Sequence, residues 1–145
     1  MVTEQLDWFV DLGRVVAAGK EPPETIAQRL GVVEEDTGGT IYVRPTDERY
    51  QSALVSYDRR NRMVSSATVI IATGHAFPAV TEFKARFGEF TSGPKSHFRQ
   101  PLGLTFEIDL GGPRVCKLIA FVPNDHQPTD QWRVERVTVM GDARL

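Results

Sequence analysis

The sequence predicts an α+β fold, and three observations predict it. Two short amphipathic runs, Glu24–Gly31 and Thr81–Gly88, share one design: a mixed apolar and polar pattern that ends in arginine, a large apolar residue and glycine. Each is followed by stretches in which apolar and polar residues alternate, divided by turn-forming residues, which is the pattern of antiparallel strands. Ahead of both lies a longer run with apolar residues at the spacing of a helix. The expected architecture is two short helix plus antiparallel three-stranded meander units forming one mostly antiparallel sheet with helices on one face, plus an N-terminal amphipathic helix. The whole is expected as a single domain, 1–145, with the N-terminal helix over 1–20, the first α/β unit over 22–73 and the second over 77–140.

In the first helix, Thr3 is placed to cap, and Glu4 and Asp7 suit the positive end of the helix dipole. Leu6, Phe9, Val10, Gly13, Val16 and Ala17 form one face, with Trp8, Leu12 and Val15 as a second apolar strip beside it. Pro22 and Pro23 fit the start of the second helix, where a missing amide hydrogen costs nothing. Ile26 and Leu30 share a face, and Gly31 is expected as a left-handed C-terminal residue. Glu34–Gly39 reads as an acidic surface loop.

Strands follow at Thr40–Arg44, which alternates around Ile41 and Val43, at Tyr50–Tyr57 and at Met63–Thr73. Pro45–Arg49 and Asp58–Arg62 are the turns between them, with proline fixing φ and aspartate bonding nearby backbone. The second unit opens at Phe77-Pro78, and Val80, Phe83 and Phe87 line one helix face up to Gly88. Glu89–Pro101 is a loop, Leu102–Asp109 and Val115–Val122 are strands about the Gly111-Gly112-Pro113 turn, and Gln131–Met140 is the last strand. Laying Ala53 over Leu104 matches nineteen positions without a gap, with Asp58 on Asp109 and Val64 on Val115, which suggests an internal repeat.

A helix closing on Leu/Phe-Gly, a polar loop and then a meander resembles the modules of two binding folds over about residues 22–140. One is the bacterial beta-lactamase inhibitor protein, with two such modules in tandem; the other is the small lipoprotein subunit of the outer-membrane assembly machine, with one. In the inhibitor an acidic and aromatic hairpin enters the target's active site, and Thr46-Asp47-Glu48-Arg49-Tyr50 occupies the matching position here. The inhibitor's modules each carry a disulfide, which a chain with Cys116 as its only cysteine cannot form. The resemblance therefore implies a scaffold for binding proteins, without implying those targets.

No motif for chemistry stands out. Gly38-Gly39 and Gly111-Gly112 lack the spacing and the following lysine of a phosphate loop. His75, His97 and His126 are isolated in sequence, so no metal-ligand spacing exists and no cofactor is expected. Cys116, between Val115 and Lys117 in a strand, reads as a small buried hydrophobe. Ser65-Ser66 lack the strand-to-helix elbow of a hydrolase nucleophile. Asp58 and Asp109, at equivalent strand ends, read as turn residues ahead of an acid/base pair. No catalytic residue is assigned, and the chain is expected not to be an enzyme.

Across 145 residues, 41% are hydrophobic and 25% charged, ordinary values for a globular domain. A net charge of −2 argues against a general nucleic-acid binder. Residues 1–48 hold ten acids against four bases, and residues 49–145 nine against thirteen. The N-terminus lacks the basic region of a signal peptide, apolar runs are strand-sized, and a single cysteine suits a reducing compartment, so the expected location is cytoplasmic, with no membrane partner. The leading expectation is a protein-binding module of the immunity-protein or inhibitor kind, its partner a toxin or enzyme domain encoded nearby. Its contact residues are expected in the two charged turns: Asp47, Glu48, Arg49 and Tyr50 in one, Arg59, Arg60 and Arg62 in the other. A second reading is a small-molecule-binding domain or enzyme with a site between the sheet and the N-terminal helix, lined by His97, His126 or Cys116. A third is a homo-oligomeric subunit, such as a homodimer, joined through an edge strand such as Gln131–Met140.

Overall fold

The computed structural model describes residues 2–72, 79–92, 102–108, 114–122 and 133–143. The fold is α+β. Helix α1 (Val2–Ala18) leads into α2 (Pro23–Leu30) and four strands, β1 (Gly31–Asp36), β2 (Thr40–Pro45), β3 (Tyr50–Tyr57) and β4 (Val64–Ile71). Helix α3 (Val80–Phe87) then precedes β5 (Thr91–Ser92), β6 (Leu102–Ile108), β7 (Arg114–Val122) and β8 (Arg136–Ala143). All neighbours pair antiparallel in one sheet, ordered β1-β2-β3-β4-β8-β7-β6-β5.

That order is a palindrome. Each unit is a helix followed by a meander, and the two units meet through their last strands, with Thr68 directly opposite Thr138 and their Oγ1 atoms 2.8 Å apart. The repeat is therefore present in topology, but β3 corresponds to β7 and β4 to β8. The gapless match, which set β3 on β6 and β4 on β7, is one strand out of step. Alternation has period two, so one strand matches any other of similar length, and only the pairing order decides the correspondence.

Each meander also gains an edge strand. Glu34–Asp36 belong to β1 and not to a loop, and the turn to β2 is confined to Thr37–Gly39. The strand was hidden because it pairs on one side only and lies exposed on both faces, so Val32-Val33-Glu34-Glu35 shows no alternation.

The strands turn one face to the helices. Ile41, Val43, Val55, Ala67, Val69, Leu104, Phe106, Leu118, Ala120, Val137 and Val139 are buried there. Helix α2 lies over β1–β3, α1 over β4, β8 and β7, and α3 against β6 and α1. Beneath α1 and α3 runs an aromatic chain, Phe9 to Phe83 at 6.4 Å and Phe83 to Phe106 at 5.9 Å between ring centres. Asp7 of α1 and Arg86 of α3 form an ion pair above it. Among the described residues, no helix is long and apolar enough to cross a membrane.

The two glycines that end the matched helices serve different ends. Gly88 has φ +90 and ψ −160, a positive-φ conformation open essentially to glycine, and open space around it, so backbone conformation explains the residue there. Gly31, expected to be left-handed, has φ 161 and is extended. A side chain at Gly31 would lie 2.1 Å from the Arg44 carbonyl oxygen, so close approach of β1 to β2 explains it instead.

Candidate interaction surface

The two charged turns lie at opposite ends of β3, whose eight residues span roughly 25 Å. In the β2–β3 turn, Asp47 accepts the Arg49 backbone N–H at 2.9 Å and the guanidinium through Nε at 3.0 Å and Nη2 at 2.6 Å. This bonding holds the Arg49 pKa above its ordinary value. Glu48 is exposed. Tyr50 is a correction: it is only 5% exposed, stacked on Trp8 with ring centres 5.2 Å apart, and unavailable to a partner. Burial pushes its phenol up to about 12, and its Oη has no hydrogen-bond partner among the described residues. Tyrosine before a strand looks like a contact residue in sequence; here it closes the core beneath α1.

At the other end, Asp58 bonds its own turn as expected, accepting Arg60 N–H at 2.7 Å on its carboxylate and Arg62 N–H at 2.7 Å on its carbonyl. Arg62 pairs with Glu24 of α2, and its guanidinium sits 5.2 Å from the Tyr57 ring centre. Tyr57 Oη donates to Asp36 Oδ1 at 2.7 Å, and Gly38 N–H donates to the same oxygen at 2.9 Å. The Tyr57 bond, helped by Gly38, holds the Asp36 carboxyl below its usual range, and the same bond raises the Tyr57 phenol. Arg59 lies across the Gly38 corner, and Arg60 is exposed. These contacts lock the β1–β2 and β3–β4 turns together. The seven expected contact residues thus form two separate clusters, largely occupied with their own structure.

The space between α1 and the sheet holds core instead of the site that the second reading requires. Phe9, Leu12 and Val16 fill it, and Gly13 packs so closely that a Cβ there would meet Cys116 Sγ at 2.4 Å. Cys116 is fully buried, and burial pushes its thiol up to about 11. His75, His97, His126, Asp109 and Trp132 lie outside the described residues. A depression of about 340 Å³ opens between α1 and α2, lined by Trp8, Asp11, Leu12, Val15 and Arg29. Arg29 is already held in a fork by Glu21 at 2.8 and 3.1 Å. The third reading's edge strand is also corrected: β8 is paired on both sides, with β4 and β7, and the sheet edges are β1 and β5.

The other face of the sheet carries no helix among the described residues. Across its middle the register aligns Glu35, Tyr42, Leu54, Thr68, Thr138, Ile119 and Thr105. A parallel row holds Ser52, Ile70, Arg136 and Phe121, with Arg136 stacked 4.1 Å from the Phe121 ring centre. Exposed Arg44 adds positive charge, and Lys117 stands opposite Glu107. Among the described residues, the large apolar side chains left exposed are Val32 at 49%, Tyr42 at 44%, Val33 at 41% and Met63 at 44%. Three of these four lie on the β1–β2 hairpin. Tyr42 and Arg44 were readable in principle: if Ile41 and Val43 face the core, the residues between them must face away. Comparison with protein-family models, curated proteins and solved structures finds no match.

Proposed function

We propose that this chain is a protein-binding module of the immunity-protein or inhibitor kind, which neutralises its partner by covering it with the helix-free face of the first unit. The observation that carries the reading is Tyr42, an aromatic side chain 44% exposed on paired strands, with Leu54 beside it and exposed Val32 and Arg44 nearby. Aromatic and arginine side chains dominate binding hot spots. A hydrogen-bonded sheet fixes the backbone before binding, so little backbone freedom is lost in the complex, which favours affinity. The partner is a protein whose contact surface is apolar at its centre, with an acidic group that meets Arg44. A cytoplasmic location, with Cys116 kept as a thiol, goes with this reading, and no reaction is assigned to the chain.

The test is to mix the protein with toxin or enzyme domains encoded beside it and to measure binding by calorimetry and size exclusion. A stoichiometric complex that silences the partner is expected, weakened about tenfold or more by Tyr42→Ala and by Arg44→Glu but not by Glu48→Ala. Unchanged affinity in Tyr42→Ala and Arg44→Glu, or binding to an RNA oligonucleotide in place of protein, would sink the reading.

A further inference from the structure

We infer that edge strand β1 takes a short, basic, extended segment of the partner by strand addition. This rests on the protein-binding reading and specifies how the partner is held. Three observations carry it. First, among the described residues β1 is bonded to β2 on one side only, and residues Val32–Asp36 are all exposed. Second, the alternation of the ladder places free backbone groups outward. Thr46 N–H donates to the Leu30 carbonyl, so Leu30 and Val32 direct their backbone groups to β2 and Val33 directs its own away from the sheet. Third, the strand's chemistry selects its occupant. Exposed Val32 and Val33 offer apolar contact, and Glu34 and Glu35 beside them favour lysine or arginine.

A second copy of the chain is the poorer occupant. The antiparallel register that overlaps the whole of β1 places each valine opposite a glutamate and brings the carboxylates of both copies onto one ladder. The register shift between Val33 and Glu35 limits the added strand to a few residues, because a bulge bends the edge away from longer partners. The described part of the opposite edge, β5 (Thr91–Ser92), carries no acidic residue to select a basic segment.

The test uses the full chain and two blocked peptides, one alternating lysine with valine and one alternating glutamate with valine, followed by amide hydrogen exchange. The lysine peptide is expected to bind and to slow exchange of the Val33 amide about tenfold at saturation. Val33→Pro, which removes an outward donor and leaves the β1–β2 ladder intact, should weaken that binding about tenfold. Glu34→Lys with Glu35→Lys should switch preference to the glutamate peptide. Three outcomes overturn the inference: lysine-peptide binding without protection of Val33, no binding of either peptide, or concentration-dependent self-association through β1. A Tyr42→Ala effect on the protein partner, alongside an inert β1, would leave the protein-binding reading standing and remove only strand addition.

Discussion

Gly13 of α1 and Cys116 of β7 are in contact so close that one methyl group on the glycine would fall 2.4 Å from the Cys116 sulfur. The first helix is thereby seated over β8 and β7, beside the centre of the sheet, and its glycine is a packing residue.

Gly13→Ala sets two effects against each other. Alanine gains about 1 kcal/mol of helix propensity, while overpacking a filled core costs about 1–3 kcal/mol. A net loss of about 1 kcal/mol is expected in urea unfolding. In a Cys116→Ala background the same change should become neutral or stabilising. A double-mutant cycle with no coupling between the two sites would contradict the contact. The buried thiol should also resist alkylation in native protein near neutral pH and react once the chain is unfolded.

Tyr50→Phe removes a buried hydroxyl that has no partner among the described residues. Stability should rise by up to about 1 kcal/mol instead of falling, because an unsatisfied buried group is lost. The variant also changes the alkaline limb. A phenol raised in the folded state to about 12 contributes stability that is full below its ordinary 10.0 and is lost as pH rises toward 12. Stability measured by chemical denaturation between pH 9 and pH 12 should therefore decline less steeply in Tyr50→Phe. Tyr57, raised by its bond to Asp36, has the same sign and accounts for part of the slope that remains.

The Asp36–Tyr57 bond acts on the acid side. Asp36 is lowered from its ordinary 3.8, so its contribution is present above that value and is lost as pH falls through the folded pKa. Tyr57→Phe deletes the larger cause of the shift. Acid titration of Asp36 followed by NMR should move upward in that variant, and the β1–β2 turn should exchange its amides faster. An unmoved titration would mean that the Gly38 amide alone holds the carboxylate.

The paired helix ends can be separated by one substitution each. Gly31→Ala forces a methyl group onto the Arg44 carbonyl and should cost at least about 2–3 kcal/mol, mostly through displacement of β1. Gly88→Ala meets open space and should cost only the backbone penalty of its positive-φ conformation, about 1–2 kcal/mol. Chemical denaturation of the two variants ranks them directly, and the reverse order would overturn the assignment of their roles.

Much of this molecule was legible along the chain. Leu6, Phe9, Val16, Ile26 and Phe83 announce their helix faces by spacing, and Ile41–Val43 and Leu104–Phe106 announce strands by alternation, because both patterns record a local need to hide one side. Asp58 bonds its turn as aspartate at a hairpin corner is expected to do. Strand order lay beyond that kind of signal. Whether a strand is an edge, like β1, or interior, like β8, depends on which apolar faces dock together over distances the local pattern does not encode. Alternation around Ile41 and Val43 already turns Tyr42 outward, whereas Tyr50, eight positions later, is turned inward under Trp8 by tertiary packing and by the register shift between Tyr50 and Ser52, which local alternation does not encode.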